Sequence, residues 1–278
     1  MIYARIVRLN LGHVETDNAR VVDPRMTSKD SARRRVALVT GAATGIGRSV
    51  AMALARDQWT VVMAGRRQGP LEQAAREGGA HCIPMQCDVS SETSVDALFT
   101  RIETELGRLD LLFNNAGGAS PPAPLEDTPL GSWQSVIDTN LTGTFLCTRA
   151  AFRLMKKQKP SGGRIINNGS ISATAPRPWM IAYTASKHAV TGLTRATALE
   201  GRRYDIACGQ IDIGNTATEM TSPMSRGTLQ ADGSLQPEPQ FDVAHVADAV
   251  RYMADLPLDA NVLFMTVMAT KMPYVGRG

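Results

Sequence analysis

Short apolar segments alternate with longer amphipathic segments along most of the chain. The sequences "VALVT" at 36–40 and "TVVMA" at 60–64 have the continuous, β-branched apolar character of buried strands. Between them, Ile46, Val50 and Leu54 recur at helical spacing, which predicts one buried helix face. This order predicts βαβ units, in which parallel strands are joined by right-handed crossovers.

The same alternation continues toward the C-terminus. Further strands are predicted at 81–89, 109–117, 163–170 and 205–213, with a last one within 261–273. Helices are predicted over 70–77, along Val95 to Leu106, over 133–157, around Tyr183, and behind a capping Asp242. We therefore expect an α/β fold: a Rossmann-like, doubly wound, seven-stranded parallel sheet with helices on both faces. There is no internal repeat, and residues 35–278 are interpreted as a single domain.

The basic charge is concentrated at the N-terminus. The net charge of the 278 residues is +4, but residues 1–35 contain eight basic and four acidic residues, which leaves 22 of each in 36–278. No basic face with interleaved aromatic residues is apparent, so nucleic-acid binding is not expected. We interpret residues 1–34 as a basic, flexible N-terminal extension, with Met26 as an alternative start.

The cysteines and histidines suggest neither a disulfide framework nor a metal site. Four cysteines and four histidines are scattered without the spacing of metal ligands, so buried, reduced thiols are expected and no metal is predicted. No apolar run is long enough to cross a membrane, and the first thirty residues lack the apolar core of a secretory signal. These features predict a cytoplasmic protein that does not bind a membrane.

A glycine-rich loop follows the first predicted strand and opens the first predicted helix. Its glycines are Gly41, Gly45 and Gly47, in "TGAATGIG". Glycines at such positions allow a tight turn and bring backbone N–H groups and a helix N-terminus close to a pyrophosphate. The alternative is an ordinary strand-to-helix turn, but the position at the start of a βαβ series favours dinucleotide binding.

The end of the second predicted strand bears on the choice of dinucleotide. In dinucleotide-binding folds, a carboxylate at this place contacts the adenosine ribose and selects NAD. Here Gly65 is followed by Arg66 and Arg67, and an arginine fork can pair with a 2′-phosphate. NADP(H) is therefore favoured, with NAD(H) as the alternative. A second interpretation is that Arg66 only caps an exposed strand end.

Tyr183 and Lys187 stand four positions apart in "AYTASK". On a helix these positions share a face, so the ammonium can lie beside the phenol and favour its ionised form. Such a tyrosine could exchange protons near neutral pH. An exposed, unrelated pair at this spacing is the alternative.

Five motifs in order make the chain resemble the short-chain dehydrogenase/reductase family, in its compact single-domain branch. The resemblance covers about residues 35–270 and is carried by "TGAATGIG", "NNAG" at 114–117, Asn140 in "DTNLTG", Ser170, and "YTASK". It implies that Tyr183 donates or accepts the proton. Lys187 would lower the pKa of Tyr183 and hydrogen-bond the nicotinamide ribose, Ser170 would hold the substrate carbonyl oxygen, and Asn140 would secure a water in a proton relay.

The resemblance also implies a set of cofactor-binding residues. Besides Tyr183 and Lys187, they are Gly41, Thr44, Gly45, Ile46, Gly47, Arg66, Asp88, Val89, Asn115, Ala116, Gly117, Gly214, Thr216 and Thr218. Asp88 and Val89 would contact adenine, although Asp88 could equally be a strand-end cap. Ile213 stands where the family usually has proline, which makes the roles of Thr216 and Thr218 the least secure part of the match.

The implied activity is hydride transfer between NADP(H) and a secondary alcohol or ketone, with a 3-oxoacyl thioester as one candidate. Residues 218–241, which include Met220, Pro223, Met224 and Leu229, are the expected substrate lid. Trp179 would line the pocket or be an exposed aromatic. The helices around Asn140 and Tyr183 and the closing strand predict a homodimer or homotetramer. The alternatives are a non-catalytic dinucleotide-binding protein and, disfavoured by the short C-terminal portion, a sugar-nucleotide epimerase.

Overall fold

The computed structural model describes residues 34–219, 221 and 227–275. The predictions for residues 1–33 and for Met220, Pro223 and Met224 lie outside these residues. Everything stated below about the fold and the site refers to residues 34–219, 221 and 227–275.

A parallel sheet forms the centre of the fold. Its seven strands are β1 (Val36–Thr40), β2 (Thr60–Gly65), β3 (Cys82–Gln86), β4 (Leu111–Asn114), β5 (Gly163–Asn168), β6 (Ile206–Ile213) and β9 (Phe264–Val267). They lie in the order β3-β2-β1-β4-β5-β6-β9, and every neighbouring pair is parallel. A separate antiparallel pair consists of β7 (Thr228–Leu229) and β8 (Leu235–Gln236).

Helices cover both faces of this sheet. They are α1 (Gly45–Arg56), α2 (Gln68–Gly78), α3 (Glu92–Leu106), α4 (Leu130–Ile137), α5 (Gly143–Lys157), α6 (Ile181–Gly201) and α7 (Val243–Asp255). Apolar side chains of α1, α2 and α7 pack in one buried cluster, and those of α3 and α5 pack in another against the opposite face. Asp242 caps α7 as expected, accepting a hydrogen bond from the Ala244 N–H at 2.8 Å. The predicted Rossmann-like, doubly wound fold is confirmed.

The helix predicted over 133–157 is divided in the structure. A π-helical segment, Asp138–Thr142, lies between α4 and α5 and contains Asn140. The apolar pattern does not reveal this change because the contacts of Asn140 are with Gly118 and Ser186, which lie far from it along the chain. π-segments of this kind often occur at functional sites.

Several predicted strands end earlier than the apolar pattern suggests. The strand predicted at 81–89 ends at Gln86, and the one at 109–117 ends at Asn114. The residues that follow make polar contacts of their own: the Asp88 carboxylate accepts hydrogen bonds from Ser90, and the Asn115 side-chain amide donates to the Thr40 carbonyl at the end of β1. The polar side chains consequently gather at the carboxyl edge of the sheet.

The strand order creates a crevice at that edge. β1 pairs with β2 on one side and with β4 on the other, so the connections leave the two halves of the sheet in opposite directions. In doubly wound sheets, ligands bind outside the carboxyl ends of the strands where this reversal occurs. The loops after β1 and β4 therefore border the expected site.

Candidate active site

A cavity of about 330 Å³ lies at the carboxyl edge of the sheet. Most of the predicted site residues form its wall, namely Gly41, Thr44, Gly45, Ile46, Arg66, Asn115, Ala116, Gly117, Tyr183, Lys187, Gly214, Thr216 and Thr218. The remaining predicted residues are Gly47, Asp88, Val89, Asn140 and Ser170, which are not part of this wall. One cavity thus brings together the glycine loop and the Tyr183–Lys187 pair.

The glycine loop approaches its neighbours too closely for other residues. Gly41 and Gly45 have φ angles of +64° and +54°, which favour glycine. A Cβ at Gly47 would lie 2.3 Å from the Gly41 carbonyl oxygen, so Gly47 allows the helix to pack against the turn. Thr44 occupies the N-cap of α1, where its side chain makes no capping hydrogen bond. The N-terminus of α1 therefore borders the cavity with N–H groups not used by the cap.

The loop after β4 is fastened to the loop after β1. The Thr40 hydroxyl accepts hydrogen bonds from the N–H groups of Asn115 and Ala116, both at 2.9 Å. The Asn115 amide donates in turn to the Thr40 carbonyl at 2.9 Å. These contacts hold the two loops as one surface along the cavity.

Two arginines border the cavity at the end of β2. Arg66 and Arg67 are exposed and line the wall beside the glycine loop. Asp88 lies nearby but caps a turn, accepting hydrogen bonds from the Ser90 N–H at 3.0 Å and the Ser90 hydroxyl at 2.7 Å. The Ser90 hydroxyl bond lowers the pKa of Asp88 most; partial burial opposes it, and the charge of Arg66 contributes to the lowering. Asp88 therefore caps the end of its strand, which was one of the two roles expected for it.

Tyr183 and Lys187 lie in the first two turns of α6. Lys187 is only 6% exposed, and its Nζ donates a hydrogen bond to the Asn168 carbonyl at 2.7 Å. The same Nζ lies 5.5 Å from the centre of the Tyr183 ring, and both residues line the cavity. The alternative of an exposed pair is therefore wrong for Lys187, whose ammonium is buried near the Tyr183 ring.

Ser170 and Asn140 do not line the cavity themselves, but each adjoins a residue that does: Ser170 follows Gly169 in the chain, and Asn140 hydrogen-bonds Gly118. The Ser170 hydroxyl accepts a hydrogen bond from the Ser172 N–H at 3.1 Å, and Ser170 directly follows Gly169 of the wall. Asn140 is 1% exposed; its amide donates to the Gly118 carbonyl at 2.9 Å and to the Ser186 hydroxyl at 3.0 Å. The π-helical segment therefore holds the Gly118 loop against α6.

The segment after β6 places three of the predicted residues, Gly214, Thr216 and Thr218, in the cavity wall. A Cβ at Gly214 would lie 2.7 Å from the Met268 Cβ and 3.1 Å from its Cα, so a larger residue would force this backbone to shift. Thr216 is buried, and the Thr218 hydroxyl lies 3.0 Å from the Thr221 hydroxyl. Both predicted threonines consequently stand in the wall, with their own positions fixed by local contacts.

Four wall residues have no counterpart in the sequence analysis as site residues, namely Gly118, Asn168, Gly169 and Ile213. The wall also contains Arg67, which follows Arg66, and Glu219 and Thr221 from the predicted lid. Asn168 is the most informative, because its carbonyl accepts from Lys187 while its amide donates to Asn115 Oδ1 at 2.9 Å. A polar residue at the end of an apolar strand was the available signal. Trp179 is half exposed and lies outside the wall.

Within the described ranges, no group of three or more His, Cys, Asp or Glu side chains could hold a metal ion. No helix in the same part of the chain is both long and apolar enough to span a bilayer.

Curated relatives include oxidoreductases of several substrates. A 3beta-hydroxysteroid dehydrogenase of Mediterraneibacter gnavus is 40% identical over 194 residues, which cover 69% of this chain and 69% of that protein. A 3-oxoacyl-[acyl-carrier-protein] reductase of Synechocystis sp. is 35% identical over 239 residues, covering 84% of this chain and 94% of that protein.

A solved structure and a family model point to the same family as these relatives. The closed form of serine dehydrogenase complexed with NADP+ superimposes with a TM-score of 0.78 at 26% identity, covering 87% of this chain and 98% of that one. The family model described as short chain dehydrogenase matches residues 35–228. The chain therefore belongs to the short chain dehydrogenase family, a family of NAD(P)-binding oxidoreductases with a Rossmann fold.

Proposed function

We propose that the protein interconverts a secondary alcohol and a ketone by hydride transfer with NADP(H). The observation that carries this proposal is the position of the buried Lys187 beside Tyr183, in the wall of the cavity that the glycine loop also forms. A dinucleotide site and a proton-exchanging pair facing one cavity are the two parts that a carbonyl reductase needs.

The residues present fit a bound dinucleotide. The positive φ angles of Gly41 and Gly45, and the contact that excludes a Cβ at Gly47, leave room for a pyrophosphate against the N-terminus of α1. Arg66 and Arg67 would pair with the 2′-phosphate of NADP(H) at the neighbouring edge. The bound NADP+ of the serine dehydrogenase structure belongs to that protein, so the choice here rests on these arginines.

Other predicted residues would hold the remaining parts of the cofactor. Asn115, Ala116 and Gly117 would border the adenosine side, and Val89 beside Asp88 would contact adenine. Gly214, Thr216 and Thr218 would hold the nicotinamide end next to Lys187, whose amine would also reach the ribose. The bound cofactor supplies the hydride, while the protein supplies geometry and charge.

The proton step falls to side chains around the cavity. Hydride arriving at a carbonyl carbon leaves negative charge on the oxygen, which Ser170 and Tyr183 would hold before Tyr183 donates its proton. The resulting phenolate is stabilised by the Lys187 ammonium, which is fixed by the Asn168 carbonyl. Asn140 would secure the water through which Tyr183 regains a proton.

The substrate class is wider than one compound. The relatives act, by name, on a steroid hydroxyl group and on a 3-oxoacyl thioester, and both are secondary alcohol or ketone reactions. A 3-oxoacyl thioester is the narrower candidate for this chain. Residues 218–241 would cover the substrate, and the half-exposed Trp179 would contact its outer part.

A homodimer or homotetramer is proposed as the assembly. Phe145 on α5 and Phe264 on β9 are exposed apolar side chains on the elements expected to form interfaces. Light scattering at micromolar concentration should give a multiple of the chain mass of 29.9 kDa. A monomer alone would contradict this assembly.

The experiment that tests the function measures oxidation of NADPH and NADH against ketones, diketones and 3-oxoacyl thioesters. Tyr183→Phe should lose turnover by about 100-fold to 10,000-fold while still binding NADPH, because only the proton path is removed. Tyr252→Phe, at an exposed position on α7, is the matched control and should keep full activity. Cofactor binding without tyrosine-dependent turnover would favour a non-catalytic, redox-sensing or structural role.

A further inference from the structure

A carboxylate on β6 accepts a hydrogen bond from the backbone N–H of the proposed catalytic serine. Asp212 Oδ1 accepts a hydrogen bond from the Ser170 N–H at 2.9 Å. The same oxygen accepts from Gln210 Nε2 at 2.7 Å. Asp212 is absent from the family motifs recognised in the sequence, and the proposed proton step does not use it.

The three residues 168–170 connect this carboxylate to Lys187. The Asn168 carbonyl accepts from Lys187 Nζ, and the Ser170 N–H donates to Asp212. Between them, a Cβ at Gly169 would lie 2.1 Å from Asp212 Oδ1, so the carboxylate occupies the space that a side chain would fill. One short backbone segment therefore contacts the ammonium at one end and the carboxylate at the other.

Gln210 fixes Asp212 against α6. Its side chain is fully buried, and Nε2 also donates to the Thr191 hydroxyl at 3.0 Å. Its Oε1 accepts from the Thr194 hydroxyl at 3.0 Å. With these contacts Gln210 is held from two successive turns of α6, which leaves Asp212 little freedom to turn away from Ser170.

Lys187 is the charged residue that acts most on the Asp212 carboxylate. Lys187 on α6 is the cation whose charge acts on it, while Thr266, its register partner on β9, is uncharged. Burial raises the pKa of Asp212, and the bonds from Gln210 and Ser170 together with the charge of Lys187 oppose that rise. Within the described ranges, no carboxylate lies within 4.0 Å of the Lys187 amine, so Asp212 acts on it across a longer distance.

We propose that Asp212 is a positioning residue of this active site: it fixes the Ser170 backbone, and its negative charge moderates the effect of Lys187 on Tyr183. The proposal rests on the proposed oxidoreductase function. An ionised Asp212 opposes the field of the ammonium and so makes the Tyr183 phenolate less favourable. Loss of this charge should favour the phenolate, the form that accepts the proton in alcohol oxidation.

Two substitutions separate the two parts of this role. Asp212→Asn keeps an oxygen acceptor for Ser170 and Gln210 but removes the charge. We expect it to move the half-maximal pH of alcohol oxidation down by about half a pH unit or more. Below the pH at which Asp212 itself becomes protonated, the two profiles should converge. Asp212→Ala removes the acceptor as well, and should also raise the substrate KM by about tenfold because Ser170 is no longer fixed.

A matched control shows whether loss of any partly buried carboxylate has the same effect. Asp110 Oδ2 accepts a hydrogen bond from the Val36 N–H at 2.8 Å, at the amino ends of the strands and so on the side of the sheet away from the cavity. Asp110→Asn should lower the melting temperature without moving the pH profile. Gln210→Met keeps the charge of Asp212 but removes one of the groups that fix its Oδ1, so it should raise the substrate KM by less than Asp212→Ala does and leave the pH profile in place; it serves if Asp212 variants fail to fold.

The outcomes distinguish this proposal from the proposed function. Coincident pH profiles of the wild type and Asp212→Asn, with an unchanged substrate KM in Asp212→Ala and Gln210→Met, would overturn the role of Asp212. If Tyr183→Phe retained full turnover, the proposed function itself would fail. A downward shift in Asp212→Asn with normal NADPH binding would establish the role.

Discussion

Arg177 Nη2 lies 2.6 Å from Glu238 Oε2, and the pair joins the loop after β5 to the segment that precedes α7. Both side chains are at least nine-tenths buried, with 9% and 1% of their surfaces exposed. Asn215 and Gln230 also donate hydrogen bonds to the Glu238 carboxylate, at 2.6 Å and 3.0 Å. A single carboxylate thus connects three segments around the proposed substrate lid.

This arrangement predicts a loss of stability in acid. Burial alone would raise the pKa of Glu238, but hydrogen bonds from Arg177, Gln230 and Asn215 outweigh it and lower the pKa from 4.5 to about 2. A carboxyl group with a depressed pKa contributes its full stability above the unfolded value and loses it as the pH falls through the folded value. The free energy of unfolding should therefore fall by on the order of 3 kcal/mol between about pH 4.5 and about pH 2 from this group.

Glu238→Gln tests the assignment by urea denaturation across that pH range. Near neutral pH the variant should be less stable than the wild type by about 3 kcal/mol, because Arg177 is left buried without its counter-charge. The difference should shrink toward pH 2. Asp255→Asn is the control: its partner Arg35 is exposed, and it should change stability by less than about 1 kcal/mol. Equal effects of the two substitutions would contradict the prediction.

Gly47→Ala should damage the cofactor site without touching a reacting group. The added Cβ would lie 2.3 Å from the Gly41 carbonyl and 2.5 Å from the Asn115 amide, so the glycine loop must shift. We expect NADPH affinity to fall at least about tenfold and the melting temperature to drop. Gly192→Ala is the matched control, since a Cβ there meets nothing within 4 Å; it should stabilise α6 by about 0.5–1 kcal/mol. Unchanged NADPH affinity in Gly47→Ala would show that the loop does not bind the cofactor.

The fold and the glycine loop could be predicted because their signals are local. Buried strands such as β1 and β2 consist of continuous apolar residues, and the glycines stand directly between a strand and a helix. The Tyr183–Lys187 relationship was also predictable, since both residues lie on one helix. The role of each site residue stays a prediction for the experiments to decide.

The contacts that sequence reasoning missed join distant parts of the chain. Asn168 donates to Asn115, which lies 53 positions earlier, and Ser170 donates to Asp212, 42 positions later. From the neighbouring sequence alone, polar residues such as Asn168 and Ser170 indicate only that a strand ends there, and they do not reveal their distant partners. The π-helical segment that contains Asn140 was also missed. The Asn140 side chain contacts Gly118 and Ser186, and both residues are distant from it in the sequence.

The cysteines should be unreactive in the folded protein. Cys82, Cys87, Cys147 and Cys208 are all buried and free. Burial raises the pKa of each thiol, to about 12 for Cys208, so little nucleophilic thiolate is present at pH 8. Titration with a coloured disulfide reagent should give almost no reaction in the native state and all four thiols after unfolding. Rapid reaction of the folded protein would contradict this burial.

Arg66 should decide between the two dinucleotides. It lies exposed at the end of β2, in the wall beside the glycine loop, where a 2′-phosphate would be placed. A charge-assisted, bidentate bond to phosphate contributes about 1.5–3 kcal/mol, so Arg66→Asp should reduce kcat/KM for NADPH by about 10-fold to 150-fold, and NADH should lose much less. The same substitution at Arg76, exposed on α2, changes the net charge equally and should leave the ratio unaltered. An unchanged NADPH-to-NADH ratio in Arg66→Asp, or a wild type that prefers NADH, would overturn the preference for NADP(H).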